Sequence, residues 1–149
     1  MTICLVGSEM CIRDRFKHDR YSKSEEGVLR GLHYDDKTWK MVSCLHGKIY
    51  LVVLDVREGN INRNPQYGSW ETYILSPSTQ TQVLIPPGFA NGHYVMEKNS
   101  IFSYKLAYDG EFVDVDKQKT IKWNSKKFKI EWPCTNPIIS KRDANGKDS

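Results

Sequence analysis

A chain of 149 residues with 39% hydrophobic and 11% aromatic side chains is long enough to bury one substantial core and too apolar for a disordered segment. Its net charge of +4 comes from 22 Lys and Arg scattered among 18 Asp and Glu, which disfavours a nucleic-acid groove and suits a small anionic ligand held by a few placed cations. No apolar run reaches membrane-spanning length, so no membrane partner is expected.

The first fifteen residues stand apart. Leu5 to Arg15 (LVGSEMCIRDR) has neither the helical nor the strand period, and the apolar run Ile3 to Val6 ends at Gly7, Ser8 and Glu9, too short for a signal peptide. The string looks like the translation of a sequencing-library adapter, so Met1 to Arg15 is expected to be a non-native leader standing where the natural N-terminal segment is missing. Cys4 and Cys11 lie in it. The remaining Cys44 and Cys134 have no metal or disulfide spacing, which fits a reducing, cytoplasmic setting.

Val28 to Tyr34 (VLRGLHY) reads as a loop turning into a strand, and from Trp39 onward strand follows strand. Lys40 to Cys44 and Lys48 to Val56 flank a His46-Gly47 hairpin turn; both faces of the second are apolar, as in a strand inside a sandwich or barrel. Glu58 to Gly68 is a loop by its Gly, Asn and Pro content, and Trp70 to Leu75 resumes the strand pattern. Then come Gln82 to Ile85, a Pro-Pro-Gly turn, Gly92 to Met96 and Ser100 to Ala107. Ser125 to Ile130 is expected to form a short helical turn, and Asn145 to Ser149 a frayed tail. With no repeat and no linker, the expectation is one all-β sandwich or jelly roll spanning residues 16–144.

Two stretches hold candidate chemistry. Arg30 and His33 lie close together in VLRGLHY, where the histidine is either a titrating group of a site or a satisfied, half-buried one, and the arginine either a phosphate clamp or a surface charge. The turn Ile85 to Tyr94 reads IPPGFANGHY. Together with SYK, IKWN, IEWP and PIISKRD downstream, these stretches resemble, from Phe16 to about Asp143, the cofactor-independent nucleotide-sugar epimerases typified by dTDP-4-dehydrorhamnose 3,5-epimerase. The resemblance implies a cupin-type jelly roll with a short irregular or helical C-terminal part. A cupin metal centre needs histidines and a carboxylate converging from two strands. Here His33 is followed by Tyr34 and Asp35, and the second motif position after Pro-x-Gly is Asn91, with His93 two residues on, so neither metal nor cofactor is expected.

The activity implied is inversion of C3, C5 or both in a nucleotide-diphosphate 4-keto-6-deoxy sugar, for capsule, O-antigen or lipopolysaccharide sugars. A ketone acidifies its neighbouring C–H bonds, so such an enzyme needs a base on one face, an acid on the other and a group for the enolate oxygen. By resemblance His33 is the base, Asp143 the carboxylate that orients it, Tyr104 the opposing donor, Lys40 the cation near the enolate oxygen and Arg30 a diphosphate contact. Asn91, His93 and Tyr108 complete the expected substrate contacts, with Phe112 an alternative to Tyr108. After Tyr-Lys the chain reads LAYDGEF where thymidine-specific relatives carry paired tyrosines, which is similar to the branch acting on GDP-linked heptoses. The family also implies a homodimer, with N-terminal residues reaching the partner's nucleotide site. Two rivals stay open: a keto-sugar 3,4-isomerase on the same fold, and a sugar-binding cupin without turnover.

Overall fold

The computed structural model describes residues 16–148; the stretch Met1 to Arg15, expected to be a non-native leader, lies outside the described residues. Nine strands are ordered as β1 (Phe16–Ser24), β2 (Leu29–Tyr34), β3 (Trp39–His46), β4 (Ile49–Asp55), β5 (Trp70–Leu75), β6 (Val83–Ile85), β7 (Phe89–Val95), β8 (Ser100–Ala107) and β9 (Lys119–Thr120), followed by the one-turn helix α1 (Lys141–Ala144). They form a four-stranded sheet, β1-β8-β3-β6, and a five-stranded sheet, β5-β4-β7-β2-β9, antiparallel throughout. This is the jelly roll expected from the strand pattern.

The two-faced apolarity of β4 has a direct cause. Ile49, Leu51 and Val53 face the other sheet and pack with Val42, Cys44, Leu75, Ile85 and Phe102, while Val52 and Leu54 face outward. That outer face is roofed by Ile121, Phe128, Ile130 and Trp132 from the irregular chain after β9. Backbone carbonyls of the roof take hydrogen bonds from β-sheet side chains, Trp70 Nε1 to Phe128 O at 3.1 Å and Tyr50 Oη to Glu131 O at 2.9 Å. A segment without regular structure thus has its polar backbone groups accounted for while it seals a second core.

Four expectations change. Phe16 to Ser24 is a strand, hidden in the sequence because an edge strand with one wetted face alternates between half-buried and exposed instead of showing an apolar run. Lys119–Thr120 adds a two-residue strand too short to leave a pattern. Ser125 to Ile130 makes turns and no helix; the helical turn is Lys141 to Ala144, where Ser140 caps the start by accepting from Asp143 N at 3.1 Å. The expected tail is held: Lys147 N donates to Thr120 O at 3.0 Å and Lys122 N to Lys147 O at 2.9 Å. Among the described residues no helix is long and apolar enough to cross a membrane.

Candidate active site

Beside the packed core, the space between the sheets opens into a cavity of about 510 Å³ that contains most of the residues singled out in the sequence. Arg30 and His33 both line it although they are three residues apart, which a regular strand would place on opposite faces. The register explains this. Arg30 pairs with His93 and His33 with Asn91, so three steps on β2 oppose two on β7, an extra residue that re-aims the strand. Gly31 sits in this irregularity with φ of +118°, and a Cβ there would lie 2.5 Å from the Cα of Gly92, so only glycine lets the strands approach.

His33 Nε2 and Asp143 Oδ1 are 2.7 Å apart, the imidazole partly open to the cavity and the carboxylate buried. The other carboxylate oxygen, Oδ2, accepts from Gly31 N at 3.2 Å. Burial by itself would raise the Asp143 carboxyl; the His33 hydrogen bond and charge, the Gly31 N–H and Arg142 outweigh it and hold the group below its ordinary range. Asp143 arrives at this place because the C-terminal segment is tied on both sides of α1, by Leu29 N to Ile138 O at 2.9 Å before it and by the Lys147 bonds after it.

Lys40, on β3, crosses from one sheet to the other. Its Nζ donates to Asn91 Oδ1 at 3.0 Å and lies 3.4 Å from His33 O. Burial pushes the ammonium down to about 8, with the Asp35 carboxylate pulling the other way, so the group is mostly charged at neutral pH and loses its proton in the mildly alkaline range. Tyr104, on β8, lines the cavity from the four-stranded sheet, and His33 lines it from the five-stranded one, so a bound molecule meets an imidazole and a phenol supplied by opposite walls.

The remaining expected residues divide. Arg30 lines the cavity and its Nη2 donates to Ser24 Oγ at 3.3 Å. Asn91 lines it too, with its side-chain oxygen engaged by Lys40. His93 lines it, is 5% exposed, stacks on Phe102 with ring centroids 4.1 Å apart, and its Nε2 has no hydrogen-bond partner among the described residues. Burial, reinforced by the Arg30 and His33 charges, pushes its imidazole down to about 3 and keeps the ring neutral. Tyr108 is not among the residues lining the cavity. It is buried, with its hydroxyl 3.3 Å from His18 Nδ1 and its ring against Phe112, which is the aromatic that lines the cavity.

Sequence reasoning missed Arg20 and Arg142. Arg20 lies over the Phe112 ring at 4.8 Å, and Arg142 has a buried Nη2 without a partner among the described residues. Arg142 had a signal in PIISKRD, next to Asp143; Arg20 had none, since its strand was not recognised. Arg142, with its unpartnered Nη2, together with Arg20 and Arg30 gives one cavity the means to hold an anion. Among the described residues no three His, Cys, Asp or Glu side chains converge as a metal site would require.

Comparison with known proteins identifies the chain's relatives. The profile of the family described as dTDP-4-dehydrorhamnose 3,5-epimerase matches residues 6–148, starting ahead of Phe16 within the stretch read as a leader. The chain is 37% identical over 135 residues to dTDP-4-dehydrorhamnose 3,5-epimerase of Shigella flexneri, covering 89% of this chain and 71% of the relative. A dTDP-6-deoxy-D-glucose-3,5-epimerase structure from Legionella pneumophila, in complex with dTDP-4-keto-L-rhamnose, superposes with a TM-score of 0.78 at 35% identity, covering 89% of this chain and 68% of that one. The Bacillus anthracis dTDP-4-dehydrorhamnose 3,5-epimerase structure with TDP and pyrophosphate bound gives 0.80 at 33% identity, with 89% and 74% covered. With the jelly roll and a match over nearly its whole length, the chain belongs to the dTDP-4-dehydrorhamnose 3,5-epimerase family of isomerases.

Proposed function

We propose that this enzyme inverts C3, C5 or both in a nucleotide-diphosphate 4-keto-6-deoxy sugar by proton removal from one face and return to the other. The observation that carries it is the His33–Asp143 pair at 2.7 Å on one wall of a cavity whose opposite wall presents Tyr104. His33 Nε2 is engaged by the carboxylate, which fixes the ring and stabilises the imidazolium formed when the ring accepts the carbon-bound proton. The C–H electron pair moves into an enolate whose negative charge rests on the C4 oxygen. Lys40, cationic at neutral pH and held by Asn91, lowers the energy of that charge where water is scarce. Tyr104 then delivers its hydroxyl proton to the carbon from the far side, and solvent resets both groups. Arg30 holds the diphosphate, and Phe112, backed by Tyr108 and His18, closes the end of the cavity that takes the nucleoside.

The enzyme is expected to serve capsule, O-antigen or lipopolysaccharide sugars in a reducing cytoplasm, consistent with Cys44 and Cys134 both being free thiols. The outer edge of β1, which carries no strand partner among the described residues, supports a homodimer closed along that edge. The dTDP-sugar bound to the Legionella relative supports a thymidine nucleotide, and the LAYDGEF stretch a GDP-linked heptose. Proton NMR in deuterated water with dTDP- and GDP-linked 4-keto-6-deoxy sugars tests both. Epimerisation places deuterium at C3 or C5 with the ketone still at C4. A carbonyl that moves identifies an isomerase, and binding with no exchange identifies a module without turnover; either result rejects the proposal.

A further inference from the structure

Two buried side chains of opposite charge type, Asp35 and Lys40, flank the turn between β2 and β3, and neither enters an ion pair among the described residues. Each is 7% exposed. The Lys40 ammonium is held by neutral acceptors alone, Asn91 Oδ1 at 3.0 Å and His33 O at 3.4 Å. The Asp35 carboxylate is held by N–H donors alone: Oδ1 accepts from Thr38 N at 2.7 Å and Lys37 N at 3.0 Å, and Oδ2 from Gln118 Nε2 at 3.4 Å. Those donors are the set that an ionised carboxylate takes, and a buried ion with no opposite charge in reach is costly. The backbone pins the residue as well, since Asp35 O accepts from Gly88 N at 2.9 Å.

We infer that Asp35 is a positioning residue for Lys40: from the turn, its buried negative charge keeps the ammonium ionised without bonding to it, which leaves one Nζ hydrogen free for the enolate oxygen. The inference rests on the epimerase reading of Lys40. An ammonium has three hydrogens, and Asn91 and His33 O engage two of them. A carboxylate in direct contact would take the third and offset the positive charge that the enolate needs; one held back contributes its field and leaves the donor free. The other groups around Lys40 do not supply that field. Arg20, Arg30 and Arg142 share its sign, His93 is kept neutral, Tyr104 is a phenol, and the Asp143 carboxylate is committed to His33. Asp36, beside Asp35 in the turn, is exposed and paired with Lys119. Against burial, which drives Lys40 toward the neutral amine, Asp35 is the opposing charge.

The test uses Asp35→Asn in the full chain, which keeps an acceptor for Thr38 N and Lys37 N and removes the charge. Asp35→Ser serves the same end if that variant does not fold, and Asp35→Glu returns the charge. Two quantities are followed with pH: the ¹³C resonance of Lys40 Cε, assigned by its loss in Lys40→Met, and the turnover of dTDP- and GDP-linked 4-keto-6-deoxy sugars. In Asp35→Asn the Lys40 midpoint should fall below the parent's value of about 8, and the alkaline limb of kcat should move with it. Turnover should then drop about threefold near pH 8 and less than about 1.5-fold near pH 6.5, with Asp35→Glu close to the parent at both. A Lys40 midpoint that stays in place in a folded charge-free variant, a loss of turnover equal at every pH, or the same shift in Asp35→Glu would each overturn the inference, because a residue that only shapes the turn changes the rate without moving a titration. A midpoint that moves while the kcat limb does not would take Lys40 away from the enolate and overturn the inference at that step. A parent that exchanges no label rejects the epimerase reading, and the Lys40 resonance then decides the hold of Asp35 on the ammonium by itself.

Discussion

The same strands line two adjoining parts of the inter-sheet space, and one part is solid while the other is open. In the solid part Cys44, Ile49, Leu51, Leu75 and Val83 interdigitate from both sheets. A few residues along the same strands, β3 presents Lys40 in place of an aliphatic side chain, β8 presents Tyr104, and β2 presents Arg30 and His33. Val42 and Phe102 belong to both parts, so the wall of the cavity is also the boundary of the core. The lesson concerns rigidity. Groups that must be placed to a fraction of an ångström stand on strands whose neighbouring residues are locked by close packing, whereas the opening persists because charged and polar ends resist being pressed together without partners.

The sharpest way to separate the two parts is His33→Asn, which leaves a hydrogen-bonding amide for Asp143 but no base. Exchange at C3 and C5, followed by NMR in deuterated water, should fall by about 10²–10⁴-fold while the melting temperature changes little. Loss of structure instead would mean that His33 belongs to the core and not to the cavity. The converse change is Leu51→Ala, fully buried in the solid part. It should destabilise the protein by about 2–5 kcal/mol in urea unfolding, with KM of the remaining folded enzyme unaltered. A large rise in KM would show that the two parts are not independent.

Lys40 probes the seam between them through pH. Its folded value of about 8 lies below the ordinary lysine value, so between those two values the unfolded chain binds more protons than the folded one. The penalty of burying its charge is therefore full below about pH 8 and relieved as pH rises toward the unfolded value. Relative to Lys40→Met, the parent should gain stability across that window while its turnover falls as pH rises through about 8, because the proposed role of Lys40 beside the enolate needs the cation. Parallel pH profiles of stability and rate in parent and variant would contradict this role. The smallest structural effect is expected from Tyr104→Phe. Removing one hydroxyl from the cavity wall should shift stability by less than about 0.5 kcal/mol. On the proposed mechanism abstraction by His33 should continue, with the enolate reprotonated from the face it left, so deuterium should enter without inversion; inversion at the parent rate would assign the donor elsewhere.

Much of this comparison was legible before the fold was known. Alternation in Ser100 to Ala107 puts Phe102, Tyr104 and Leu106 on one face, and the double apolarity of Lys48 to Val56 announces a strand covered on both sides, because the pleat fixes side-chain direction with a period of two wherever pairing is regular. The strand Phe16 to Ser24 escaped because its polar residues carry no apolar signal; pairing with β8 defines it. Tyr108 was expected in the site and lies against His18 and Phe112, since the neighbourhood of an aromatic after the last regular strand depends on how the following loop folds back.

By itself the sequence determined the class of fold, the limits of most strands and the types of residue available for chemistry, since composition and periodicity are local properties and burial follows them. Only the tertiary structure decided which of those residues meet. Arg30 and His33 share a wall because an extra residue on β2 breaks the alternation that would part them. Asp143 reaches His33 across 110 residues of chain because hydrogen bonds at Ile138 and Lys147 dock α1 against β2 and β9. His93 Nε2 has no hydrogen-bond partner among the described residues because the side chain points inward from β7, with Phe102 from the other sheet stacked on the ring. Contacts between distant segments follow from strand register and chain closure, and no window of neighbouring residues contains that information.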